Sequence, residues 1–361
     1  MYDARWLPVA DKFDGVGRYT YELAHALAKR PDMDITWLIS DERQIDKLPS
    51  NDYLQINRPD NVFREFTLPS MLNKHDPDVV YSPFYLMGLG LTPRKYKLVL
   101  TIHDMIYFKY RTPPQWLPWY QRAAWWLFNS AKWPTRILLR PADVVATVSE
   151  TTADEIHHER MTKKPIVPVI NAHPFKLAAK KSEIDHSASN DIVYMGGFTP
   201  YKNIELLIDS MAALPDCTLH LLSRIPTNRR KELEEHARKR AVQSHVVFHD
   251  GITDKQYAQA LKKARCLVTA SKVEGFGLPI LEAQAAGVPV ACSDTPIFHE
   301  VAGDGAVFFD PDSPSSCAEA LRSLGDNKQN SKYIQKGYKN LSRFGWDKSA
   351  EVAEGIIKDL A

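Results

Sequence analysis

Glu274 and Glu282 stand eight positions apart, on either side of Gly275-Phe276-Gly277-Leu278-Pro279. The proline opens the apolar run Ile280-Leu281 and reads as a helix start, because its missing N–H costs nothing in the first helical turn. Glu274 is therefore expected in a loop and Glu282 about one turn into a helix. The amides of Gly275, Phe276, Gly277 and Leu278 would face a ligand, and a helix N-terminus with free amides attracts phosphate. A carboxylate beside such a loop accepts hydrogen bonds from sugar hydroxyls. These residues would suit a sugar phosphate. The same string also fits a plain helix start with two surface glutamates.

Two further loops place glycine beside polar chemistry. Asp14-Gly15-Val16-Gly17-Arg18-Tyr19-Thr20 runs into the helix-like Tyr21-Glu22-Leu23-Ala24, and Gly196-Gly197-Phe198-Thr199-Pro200-Tyr201-Lys202-Asn203 runs into Ile204-Glu205-Leu206-Leu207. Glycine permits positive φ and close approach of the backbone to an anion. A dinucleotide fingerprint needs a third glycine where this chain has Thr20, so the first loop does not specify NAD and stays compatible with a diphosphate. Lys202 beside glycine amides would clamp diphosphate oxygens. It could equally be a solvated lysine in an ordinary turn.

The elements that must position these loops are short apolar strands alternating with helical segments. Strands are expected over 34–39, 78–82, 98–102, 144–148 and 166–170, then over 191–195, 219–222, 245–248, 266–270 and 288–291. That alternation predicts two α/β halves, each a parallel sheet with helices on both faces. Ligands of such sheets bind beyond the carboxyl ends of the strands. His103 and Ser149 fall at such ends, although a histidine there can also be a packed structural residue. The polar stretch 176–190 reads as a linker between the halves.

Length and composition set bounds. A chain of 361 residues, 44% hydrophobic and 25% charged, exceeds one typical domain and predicts two. A net charge of +2 carries no polyanion signature, so no nucleic-acid partner is expected. Cys217, Cys266, Cys292 and Cys317 lack metal-like spacing and read as reduced thiols of an intracellular protein. Asp32-Met33-Asp34, Asp76-Pro77-Asp78 and Asp310-Pro311-Asp312 match D-x-D but read as turn chemistry, so no metal is assigned. G-x-S-x-G and GxxxxGK[ST] do not occur, which removes the hydrolase-elbow and P-loop readings. No apolar run is long enough for a membrane span.

One segment stands apart. Between Pro113 and Arg140 lie Trp116, Trp119, Trp125, Trp126 and Trp133, five of the eight tryptophans, together with Tyr120. Its charges are Arg122, Lys132, Arg136 and Arg140, with no acid. Helical spacing puts Trp119, Ala123, Trp126 and Leu127 on one face and Arg122, Trp125, Lys132 and Arg136 on another. This suits a helix lying in an anionic membrane interface, or a core-packed helix with a basic outer side. Pro134 is expected to end or kink it.

Taken in order, GVGRYTYEL (15–23), TIHD (101–104), TVSE (147–150), MGGFTPYKN (195–203), EGFGLPILEA (274–283) and AAGVPVACSD (285–294) resemble glycosyltransferase family 4, of the GT-B fold, over nearly the whole chain. The resemblance implies two Rossmann-like domains facing a deep inter-domain cleft. An acceptor-side domain would span 1–172 and a nucleotide-sugar domain 173–345, with a helix over 346–361 returning to the first. It implies sugar transfer from a nucleotide-diphosphate donor with retention, without metal or other cofactor. Glu282 would hold the ribose hydroxyls. Glu274 and the amides of Gly275, Phe276, Gly277 and Leu278 would hold the donor sugar. Lys202 would neutralise the leaving diphosphate, assisted by the backbone at Gly15, Gly17 and Gly197, and His103 would face the reacting carbon. Arg18, Trp119, Arg122, Trp125 and Trp126 fall to the acceptor or membrane side.

Two departures from the family pattern bear on this. Gly197 occupies a position where many members carry arginine, which leaves Lys202 as the main cation, aided by Arg18 or Arg224. Only Met1 and Tyr2 precede Asp3-Ala4-Arg5, so either the first strand is expected to be short or the sequence starts too late to include all of it. The GVGRYT loop resembles members that use GDP-mannose or a deoxysugar donor, which makes mannosyl transfer to a saccharide or lipid-linked acceptor, from the cytoplasmic face of the membrane, the leading expectation. Rhamnosyl or glucosyl transfer from a dTDP- or UDP-sugar is the alternative. A GT-B sugar-nucleotide epimerase would need no acceptor site, and the tryptophan segment argues against it. The intact glutamate pair and Lys202 argue against a non-catalytic partner.

Overall fold

Runs such as Leu98-Val99-Leu100-Thr101-Ile102 and Cys266-Leu267-Val268-Thr269 are apolar or nearly so on both faces, which suits strands covered by helices on both sides. The structure, a computed structural model, describes residues 1–10, 13–59, 65–90, 92–113, 118–173 and 186–361. Trp116 and most of the expected linker lie outside these. The chain divides into two units, Met1–Ala172 with Gly345–Ala361, and His173–Phe344.

The first unit holds β1 (Tyr2–Asp3), β2 (Trp37–Ile39), β3 (Tyr53–Gln55), β4 (Val79–Ser82), β5 (Lys97–Ile102), β6 (Val144–Thr147) and β7 (Ile166–Pro168). They form a sheet in the order β3-β2-β1-β4-β5-β6-β7, with every pairing parallel. β1 is short, yet Tyr2 is fully packed: its ring stacks on Tyr81 at 5.7 Å and meets the edge of Trp37 at 5.8 Å. The helix Trp346–Leu360 lies against the helix Gly15–Leu27, with Trp346 edge-on to Tyr19 at 5.7 Å and Ser349 Oγ donating to the Ile170 carbonyl at 2.5 Å.

The second unit holds β8 (Asp191–Tyr194), β9 (Thr218–Leu221), β10 (Val246–Phe248), β11 (Cys266–Thr269), β12 (Val290–Ser293) and β13 (Ala306–Phe309), in the order β10-β9-β8-β11-β12-β13 and again all parallel. Each sheet is that of a Rossmann-like domain. The strand order reverses between β1 and β4 in one and between β8 and β11 in the other, which opens a crevice beyond the carboxyl ends at that point.

β3 and β13 were not expected. β3 is an edge strand with little burial to mark it. Pro134 does not act as expected either. The helix Trp119–Ser130 stops where Ala131 turns extended, and Pro134 sits in the first turn of a new helix, Trp133–Leu139, where proline is tolerated.

Candidate active site

In the second unit, β8 and β11 are hydrogen-bonded neighbours, with Leu267 in register with Val193. The loops that follow them therefore start side by side. After β8, the Tyr194 hydroxyl donates to the Gly197 carbonyl at 2.5 Å and the Gly196 amide to Ser223 Oγ at 3.0 Å. A single turn, Pro200–Lys202, follows. Asn203 closes it in the left-handed region, φ 57°, a conformation asparagine tolerates, and its side-chain amide donates to the Pro311 carbonyl at 2.7 Å. After β11, the Lys272 amide donates to the Tyr201 carbonyl at 2.9 Å, tying the two loops together.

That tie brings Lys202 against Glu274. The ammonium donates to Glu274 Oε1, which also accepts from Ser271 Oγ at 2.9 Å. Both side chains are largely buried. A cation and a carboxylate at the topological switch point are equipped to hold a phosphate and a sugar hydroxyl respectively.

Gly277 then adopts φ +100°, and a Cβ there would stand 2.9 Å from the Phe298 ring, so this position requires glycine. The helix Leu278–Ala285 follows, with Pro279 in its first turn. Phe276 is buried edge-on to Phe344 at 5.9 Å, so its side chain anchors the loop and only its backbone is left for a ligand. Glu282 lies half-buried in the second turn of the helix, its charge beside the buried Tyr257 hydroxyl. Burial first, then Glu282, pushes that phenol well above its ordinary value.

In the first unit, Asp14 caps the helix Gly15–Leu27, accepting from the Gly17 amide at 2.7 Å. A Cβ at Gly17 would lie 2.8 Å from Pro8, whereas one at Gly15, or at Gly197 in the second unit, would meet nothing within 4 Å. The fold itself therefore does not demand glycine at 15 or 197. His103, just past β5, meets Tyr19 of this helix edge-on at 5.1 Å and lies 6.3 Å from the Phe84 ring. Its Nε2 stands 2.7 Å from the Pro83 carbonyl. A carbonyl only accepts, so Nε2 carries the proton and Nδ1 is the basic nitrogen. Desolvation lowers its pKa to about 4, against the opposing pull of the Pro83 carbonyl and of Asp14. His103 is thus neutral near pH 7. The glycine loop and His103 are brought together at the carboxyl ends of the first sheet.

Other expected residues have local duties. Arg18 pairs with Glu22 at 3.7 Å and covers the Phe13 ring at 4.8 Å. Ser149 is fully buried and caps the helix Glu150–His158. Asp312 pairs with Lys272. Trp125 is half-buried against Tyr107, while Trp119, Arg122 and Trp126 are exposed. The four cysteines are free and buried. Among the described residues, no group of three or more His, Cys, Asp or Glu is arranged to hold a metal ion, and no helix is long and apolar enough to cross a membrane. A cavity of about 370 Å³ lies among Asp32, Asp34, Asp76 and Asp78, at the amino ends of β1, β2 and β4 and so at the opposite end of the sheet from His103. Ser271 and Tyr257 were missed by the sequence reading: Ser271 lies three residues before Glu274 and was locally visible, whereas Tyr257 reaches Glu282 from a separate helix.

Residues 13–172 match the family described as Glycosyltransferase Family 4, and residues 177–340 match Glycosyl transferases group 1. The O-antigen chain mannosyltransferase B of Escherichia coli is 25% identical, over 94% of each chain. The sucrose-phosphate synthase structure from Thermosynechococcus elongatus superposes with a TM-score of 0.75 at 17% identity, covering 99% of this chain and 98% of that one. HepE of Anabaena, solved in complex with UDP and glucose, superposes with a TM-score of 0.73 at 14% identity, covering 99% and 98%. With both halves assigned and the whole chain following the same fold, the protein belongs to the GT-B glycosyltransferases, a Family 4 domain followed by a group 1 domain.

Proposed function

We propose that the protein transfers mannose from GDP-mannose, with retention of configuration, to a saccharide or lipid-linked saccharide acceptor during cell-surface polysaccharide synthesis, working at the cytoplasmic face of the membrane. The observation that carries the reading is the Lys202–Glu274 pair at the switch point of the second sheet, with Glu282 one helical turn beyond the loop. The E. coli mannosyltransferase, similar over almost its full length, supports the sugar and the pathway class.

In this reading Glu282 holds the ribose hydroxyls, and Glu274 with the amides of residues 275–278 holds the donor sugar. The bond between the anomeric carbon and the diphosphate oxygen breaks as the acceptor oxygen bonds to that carbon from the same face. The acceptor proton passes to the departing diphosphate. Lys202 stabilises the charge that grows there, where a fixed cation contributes most. No protein nucleophile and no metal ion is assigned a step. In the first unit, the Gly15 loop and neutral His103 are assigned to phosphate and sugar contacts.

Calorimetric titration of the full chain with GDP-mannose, UDP-glucose and dTDP-rhamnose tests this. Selective heat with GDP-mannose is expected. HepE was crystallised with UDP and glucose, so glucosyl transfer is the second reading, and selective binding of UDP-glucose would establish it instead. Absence of binding by every nucleotide sugar would overturn both.

A further inference from the structure

Three aromatic rings stand in line at the carboxyl ends of the first sheet. The Trp6 indole, just past β1, lies 4.3 Å from the Phe84 ring, just past β4, tilted by 46°. Phe84 in turn lies 4.6 Å from Tyr85, which packs on the core, and 6.3 Å from the His103 ring. β1 and β4 are the neighbours between which the strand order reverses. The cluster therefore sits where sheets of this kind take their ligands. Trp6 and Phe84 are only half-buried, so the core does not consume them and part of each ring stays open.

The backbone on both sides of Trp6 is fixed by side chains. Gln44, fully buried, donates to the carbonyls of Arg5 at 3.1 Å and Leu7 at 2.6 Å. Lys47 donates to the carbonyls of Pro8 at 2.9 Å and Ala10 at 2.6 Å. Arg5, one position before the indole, donates to Asp3 and Glu65. Ser82 Oγ donates to the same Asp3 at 3.1 Å and accepts from the Phe84 amide at 3.4 Å. A buried ion network is a poor source of net stability. What this one supplies is a fixed spacing between the loop after β1 and the loop after β4, and so between Trp6 and Phe84. Rings held this firmly, yet left partly open, are preorganised for a ligand.

Their neighbours say which one. Pro8 lies against the glycine loop, 2.8 Å from where a Cβ on Gly17 would stand, and His103 lies beyond Phe84. The rings are thus bracketed by the two groups of the first unit assigned above to the donor. The acceptor oxygen must meet the anomeric carbon close to His103, so the rings beside it face the sugar that carries this oxygen. A pyranose suits them, because its axial C–H bonds make one face apolar and slightly positive, and aromatic faces are negative. A lipid carrier would lie at least one sugar's width further from the reacting hydroxyl.

We propose that Trp6 and Phe84 form a stacking platform for the terminal pyranose of the acceptor and select which sugar is extended. This rests on the transferase reading and deepens it: the acceptor is recognised through its sugar ring, beside the reacting carbon.

Saturation-transfer NMR of the full chain, without donor, reads the platform directly. The probes are the methyl glycosides of mannose, rhamnose, galactose and N-acetylglucosamine, with geranyl phosphate as the apolar alternative. At least one glycoside should receive saturation, strongest at the C–H protons of one ring face. Trp6→Ala should weaken its binding roughly tenfold, and Trp6→Phe should restore most of it. Phe84→Leu, which keeps an apolar side chain in place, should weaken it several-fold, so the test does not hang on one variant folding. No saturation of any glycoside, or equal saturation in Trp6→Ala and the unmodified chain, would overturn the proposal. Saturation of geranyl phosphate alone would also overturn it, by identifying a prenyl chain as the occupant. Calorimetric titration with GDP-mannose is a separate readout and should give the same affinity in all four proteins. Sugar binding lost with Trp6 while no nucleotide sugar binds would remove the donor reading and leave the platform; the reverse would remove the platform alone.

Discussion

Lys202 and Glu274, 72 positions apart in the chain, are joined as an ion pair in which Ser271 holds the same carboxylate oxygen. The pair is the product of one sheet neighbourhood, β8 beside β11, and it aims a cation and an anion into the same crevice. Removing Lys202 should act on the step in which charge builds on the leaving group, more than on ground-state binding. Lys202→Met is expected to lower kcat about 100-fold or more, with a much smaller change in donor affinity. Steady-state kinetics beside calorimetry decides this. An equal loss in binding and turnover would make Lys202 a plain affinity residue.

Glu282→Ala should weaken nucleotide binding by about tenfold or more, since two ribose hydroxyls lose a charged acceptor. Tyr257→Phe should have a smaller effect in the same direction, because it removes only the hydroxyl that lies beside Glu282. Calorimetric titration checks both, and unchanged affinity in Glu282→Ala would remove its ribose role.

The glycines separate ligand demand from fold demand. Gly15→Ala places its Cβ in open space on a helix, so thermal stability should hold or rise, by no more than about 1 kcal/mol. Turnover should nonetheless fall if a phosphate approaches that backbone. Gly277→Ala must adopt φ +100° beside Phe298, and unfolding is expected to become easier by about 1–2 kcal/mol or more. Urea melts and rate assays on the two variants form the comparison. Full activity in Gly15→Ala would end its assignment to the donor.

His103 should give stability a pH dependence. Its folded pKa, about 4, lies below the ordinary 6.5, so the unfolded chain takes up the proton first as pH falls. The contribution is fully present above pH 6.5 and is lost progressively on acidification toward pH 4. It is on the order of 3 kcal/mol at most. Urea melts between pH 4 and 7 should show that slope, and His103→Gln, which keeps a donor for the Pro83 carbonyl, should flatten it.

Arg5 tests the buried ion cluster at the carboxyl end of β1. It is buried, with Nε 2.7 Å from Asp3 and Nη1 2.5 Å from Glu65, and Asp3 in turn accepts from Ser82 at 3.1 Å. Arg5→Ala strands two buried carboxylates and is expected to cost about 3–5 kcal/mol in urea melts. A loss below about 1 kcal/mol would mean that water satisfies the site.

Much of the fold was legible because strands such as 98–102 and 266–270 are covered on both faces and read as unbroken apolar runs. β3 was not, since an exposed edge strand carries no such pattern. Lys202 and Glu274 could each be picked out from local composition. Their pairing could not, because it depends on which strands become neighbours. Tyr257 was invisible for the same reason, and Pro134 misled because proline starts a helix as readily as it stops one. The exposed aromatic face was half-legible: spacing showed the faces, but only packing shows which one turns outward.

The helix Trp346–Leu360 is translated after the whole of the second unit, yet it packs on the helix that carries the Gly15 loop. The first unit to leave the ribosome therefore waits for the last stretch of chain before its glycine loop gains its full support. Arg30, held by the Asp347 carbonyl and by Glu354, and Tyr19, held by Trp346, stay unpartnered on that side until then. Support for the glycine-loop helix is thus drawn from chain on both sides of the second unit.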